Sequence, residues 1–67
     1  MVIMLEVKQG QVWEIYSPLA TNWGRAKVVE VVNGRARLRY QLVPDQVTCD
    51  ASEMTRHPEK YRLVSDA

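Results

Sequence analysis

The pair Asn33-Gly34, set between two runs of strand-forming residues, constrains this chain more than any other feature in it. Asn-Gly is the preferred dipeptide for a two-residue type I′ turn, because both central positions need φ > 0. The flanking residues from Ala26 to Leu42 therefore read as an antiparallel hairpin whose register can be written out. Val32 faces Arg35, Val31 faces Ala36, Glu30 faces Arg37, Val29 faces Leu38, Val28 faces Arg39 and Lys27 faces Tyr40. Side chains alternate between the faces of a strand. One face is then Val29, Val31, Ala36, Leu38, Tyr40 and Leu42, and the other is Val28, Glu30, Val32, Arg35, Arg37 and Arg39. Both strands agree on the apolar side, and a slip of one residue would set the arginines against it.

The remainder reads as short strands separated by turn chemistry. Gln11 to Tyr16, after Gly10, is rich in strand formers. Ser17 to Gly24 reads as a loop punctuated by Pro18, Asn22 and Gly24, and Val43-Pro44-Asp45 as a turn. Gln46 to Asp50 is a short strand with Val47 and Cys49 on one side. Asp50-Ala51-Ser52-Glu53 resembles a capping box and predicts a single helical turn, α or 3₁₀, before Pro58 bends the chain. Tyr61 to Val64 closes as a last strand, and residues 65–67 are expected to fray. Residues 1–9 read as an N-terminal arm or an edge strand, the strand candidate being Val2 to Val7, with Met4 an alternative start. The opening apolar run is too short for a membrane span and has no basic leader.

Sixty-seven residues make one domain with a thin core. An apolar fraction of 46% with 25% charged residues excludes disorder for its body. The net charge of +1 means that any argument for nucleic acid must come from local clustering. A single cysteine, Cys49, excludes an internal disulfide and fits a reducing, cytoplasmic setting.

Five short strands with a helical turn before the last lay out an all-β, five-stranded, SH3-like small barrel spanning residues 10–64, with the OB-fold as nearest competitor. The OB-fold would place a longer helix after its third strand, where the chain has no room. The residues Gly10-x-x-Trp13, Val28-x-x-Val31, Leu38-Arg39-Tyr40 and Met54-x-x-x-Pro58-x-x-Tyr61-Arg62-Leu63-Val64 resemble small, uncharacterised bacterial and phage proteins with SH3-like barrels. The resemblance implies that fold and brings no catalytic residue with it.

Nothing in the chain assembles an enzyme. One histidine and one cysteine give no metal-ligand spacing, the three glycines are isolated turn residues rather than a phosphate loop, and no cofactor is expected. A Cys49–His57 pair lacks a third, orienting group. The expected function is that of a small binding module. The first reading is protein–protein interaction through an aromatic groove beside the 17–24 loop, with Trp23, Tyr16 and Tyr61 as contacts. The alternative is single-stranded nucleic acid binding across Arg35, Arg37 and Arg39, whose alternation sets three cations on one face. No membrane partner is expected, and the chain is read as a monomer or a weak homodimer through an exposed strand edge.

Overall fold

The computed structural model describes residues 6–66. It is mostly β, with strands β1 (Val12–Ser17), β2 (Asn22–Val32), β3 (Arg35–Tyr40), β4 (Gln46–Asp50) and β5 (Tyr61–Ser65), and one short helix, α1 (Ala51–Arg56), between the last two. All neighbours are antiparallel in the order β4-β3-β2-β1-β5, and the ladder is not closed, so β4 and β5 are its edges.

A flat five-stranded sheet would hold its edges about 19 Å apart. Here the side chains of Cys49 on β4 and Tyr61 on β5, from the two edges, meet across the inner face, so the sheet curls around it. The helix lies over that face through Met54, which is buried together with Cys49 and Tyr61. Trp13, Ala26, Val28, Ala36 and Leu38 complete the centre, with Val7 closing one side.

The Asn33-Gly34 turn forms as its sequence predicts, with φ of 52° and 75°. The three pairs nearest it, Val32–Arg35, Val31–Ala36 and Glu30–Arg37, keep the expected register. Beyond them the register shifts by one residue at Val29. The observed pairs are Val28–Leu38, Lys27–Arg39 and Ala26–Tyr40. Val29 is the extra residue of a β-bulge. The shift turns Val28 inward, to 0% exposure, and puts Lys27 on the outer face opposite Arg39. The cause lies in the turn that leads into β1. The Val28 N–H donates to the Gln11 carbonyl at 2.8 Å, and the Gly10 N–H donates to the Val28 carbonyl at 2.9 Å. Leu42, expected on the apolar face, instead sits in the β3–β4 loop at 92% exposure, because the ladder ends at Tyr40.

Other expectations are corrected in the same way. The loop expected over 17–24 is confined to residues 18–21, since Asn22, Trp23 and Gly24 pair with Ser17, Tyr16 and Ile15. Gly24 is not a turn residue. A Cβ there would meet Tyr40 Cε1 at 3.0 Å, so its bare backbone makes room for the tyrosine ring. The helical turn is a short α-helix, and Asp50, expected as its capping residue, makes no side-chain cap. Its carboxylate lies 3.5 Å from Arg35 Nε across the β3–β4 ladder, and Glu53 turns to Lys60.

At the ends, the expected arm or edge strand over Val2 to Val7 falls mostly outside the described residues, but Val7 is buried in the core. Ser65 is not frayed, being paired with Val12. Buried Gln11 then ties the two ends together: its Nε2 donates to the Glu6 carbonyl at 2.9 Å and to Asp66 Oδ1 at 2.6 Å.

Candidate functional site

The bulge decides what the outer face carries. Register places Arg25, Lys27, Arg35, Arg37, Arg39 and Arg62 on that face, against three carboxylates, Glu14, Glu30 and Asp50. The face therefore holds six cations and three anions, an excess that the whole-chain charge conceals.

The pairing of those charges is uneven. Glu14 takes two arginines, Arg62 at 3.0 Å and Arg25 at 3.8 Å. Glu30 holds Arg37 at 3.1 Å, and Asp50 holds Arg35 at 3.5 Å. Two members of the expected Arg35, Arg37 and Arg39 stripe are thus tied into cross-strand ion pairs of the kind that stabilise a sheet by a few tenths of a kcal/mol. Among the described residues, Arg39 and Lys27 have no carboxylate partner. They face each other directly across β3 and β2, where like charges are destabilising. They also line an open cleft of about 710 Å³ whose other walls include Gln9, Gly10, Val29 and Gln41. Sequence reasoning missed Lys27 because an unbulged strand turns it to the other face.

The aromatic candidates separate. Tyr16 and Trp23 are paired across β1 and β2 on the outer face, their rings 5.3 Å apart and tilted by 60°. The Arg62 guanidinium lies 3.7 Å from the Trp23 ring centroid, a cation–π contact. Tyr61 does not join them. It faces inward, buried with Cys49 and Met54 in the core, because β5 carries it on the side opposite Arg62. A second groove, of about 400 Å³, runs between the 18–21 loop and the β3–β4 loop. Its apolar lining includes Trp23, Tyr40, Leu42 and Val43, and its polar lining Ser17, Asn22, Arg25 and Asp45.

Burial is the largest cause pushing the Cys49 thiol above its ordinary 9.0, with the Glu53 and Asp50 carboxylates adding to it and the Tyr61 hydroxyl opposing. Cys49 is thereby kept as a neutral thiol. His57 is exposed and sits 3.2 Å from Glu59, so it is engaged away from the thiol. Among the described residues no cluster of His, Cys, Asp or Glu could hold a metal ion, and no helix is long and apolar enough to cross a membrane.

The buried ionisable groups make alkaline stability a direct check on this packing. Tyr40 and Tyr61 are raised above 10.0 chiefly by burial, as Cys49 is raised above 9.0. A folded-state pKa above the unfolded value gives stability that is complete below the unfolded pKa and is lost as pH rises through the folded one. The melting temperature should hold steady up to the thiol range and fall progressively above it. Cys49→Ala should remove the first part of that fall and leave the phenolic part. A melting temperature flat well past pH 10 would contradict this burial.

Comparison with protein-family models, with curated proteins and with solved structures finds no match to this chain.

Proposed function

We propose that this chain is a small, non-enzymatic binding module whose outer sheet face holds the phosphate backbone of nucleic acid. One observation carries the reading: Lys27 and Arg39 stand directly opposite each other, without a carboxylate partner among the described residues, at an open cleft. Two adjacent cations cost stability in the free protein, and an anionic ligand would remove that cost. The surrounding arginines, already paired with carboxylates, supply a positive rim that steers a polyanion toward the cleft.

The SH3-like architecture belongs to the same proposal. The strand order, the curl of the sheet and the helix between β4 and β5 support it, although the ladder stays open. The lone Cys49 supports a reducing, cytoplasmic setting.

The test is titration of a labelled oligothymidine at several salt concentrations. Single strands release about 0.7 counterions per neutralised phosphate, so two to four contacts should lower affinity roughly sevenfold to fiftyfold between 50 and 200 mM salt. Absence of binding at low salt would overturn the proposal.

A second reading, protein contact at the loop tips, is favoured by the exposure of Leu19, at 99%, and of Leu42. Binding of that kind should be insensitive to salt and be lost in Leu19→Ser/Leu42→Ser, a pair that leaves the cation cleft intact.

A further inference from the structure

We propose that the groove between the two loops is a nucleobase pocket, which makes the ligand of the basic face a single strand. The inference rests on the backbone-binding reading above and adds the part of the ligand that phosphates do not describe.

The groove combines the two surfaces that a base presents. Trp23 from the outer side of the sheet and Tyr40 from the inner side border it, and with Leu42 and Val43 they offer apolar area for a flat ring, while Asn22 and Asp45 offer hydrogen-bonding groups for a polar edge. A volume of about 400 Å³ lies within the range of small-molecule sites. Gly24 contributes by omission, since the missing Cβ lets the Tyr40 ring lie against the strand and wall the groove. Arg62 lies over one face of the Trp23 indole and Tyr16 sits tilted beside it, so the ring is held in place before any ligand arrives. Such pre-ordering lowers the entropic cost of stacking.

The groove also lies on the path of the backbone. Trp23, Arg25 and Lys27 occupy alternate positions of β2, so the indole stands about 13 Å along the strand from the cation pair. A ligand spanning both sites needs anionic charge at one end and an unpaired ring at the other. In a duplex the ring faces are covered by neighbouring bases and the edges are paired, so only a single strand can supply it.

The experiment compares oligothymidine with inorganic polyphosphate and with duplex DNA, on the wild type and on Trp23→Leu, with Trp23→Phe as the variant that keeps an aromatic face. Circular dichroism first establishes that each variant is folded. One stacked base is worth about tenfold to a hundredfold in affinity by substitution. Wild type should bind oligothymidine tighter than polyphosphate or duplex by about that factor. Trp23→Leu should lose the preference, and Trp23→Phe should recover most of it. The Trp23 indole N–H resonance should shift with oligothymidine while that of Trp13, hydrogen-bonded to Gln11 in the core, stays still. Equal binding of all three polyanions with an unmoved Trp23 signal overturns the pocket and leaves the backbone reading standing. Binding of none overturns both. A Trp23 signal that moves only with an uncharged apolar peptide assigns the groove to a protein partner and overturns the inference.

Discussion

Trp13→Ala should abolish the cooperative thermal transition, or lower its midpoint by at least about 12 °C. Trp13 is 1% exposed and is the largest side chain at the centre of the core. Truncating a buried aromatic costs about 3–5 kcal/mol, whereas a chain of this size holds about 3–10 kcal/mol in total. A second loss compounds the first. The Trp13 Nε1 donates to Gln11 Oε1 at 2.9 Å, and that oxygen also accepts the Lys8 N–H at 2.8 Å. Without the indole, buried Gln11 loses one of the partners that orient it, and with it the hold on Glu6 and Asp66 weakens. Trp23→Ala is the matched comparison. It removes the same side chain from a half-buried outer position and should cost only about 1–2 kcal/mol through lost contact area and the Arg62 cation–π pair. Thermal unfolding followed by circular dichroism separates the two. Similar midpoints for both variants would mean that the indoles share the stability and that Trp13 is not the centre of the core.

The contrast between the tryptophans marks what was legible in the sequence. The turn at Asn33-Gly34 was, because two adjacent positive φ angles have a local chemical signature. Ala36, Leu38 and Cys49 follow from alternation within single strands and are all buried. The bulge was not legible. The run Val28-Val29-Glu30-Val31-Val32 offers two adjacent valines of equal propensity, and nothing local says which is surplus. The choice is made by the backbone bonds of Gly10 and Gln11, far away in the chain. Lys27 was lost from the site for that reason alone. Asn22 and Gly24 misled in a different way. Both are turn formers by type, yet here they continue a strand, and Gly24 answers to a tyrosine ring sixteen residues on. Asp50 likewise carries an N-cap residue type but spends its carboxylate on Arg35. Local propensity loses wherever a tertiary partner competes for the same group.

That competition gives the sharpest test of the basic face. Lys27→Glu should make the protein more stable and worse at binding at once. The substitution converts a like-charge pair into a cross-strand ion pair with Arg39, a gain of about 0.2–1 kcal/mol, which raises the melting temperature by up to about 8 °C in a small domain. The same carboxylate removes one phosphate contact and neutralises the second. Two contacts at about 0.7 counterions each are worth roughly twenty-fivefold in affinity at 0.1 M salt, and repulsion adds to the loss. Arg35→Glu is the control with the opposite sign, because it sets two carboxylates together at Asp50 and should lower stability. A structural sheet face would be improved by Lys27→Glu with no loss of oligothymidine affinity. Gain of stability together with loss of affinity requires that the repulsion between Lys27 and Arg39 be held in place for a ligand, since folding alone is better served by its removal.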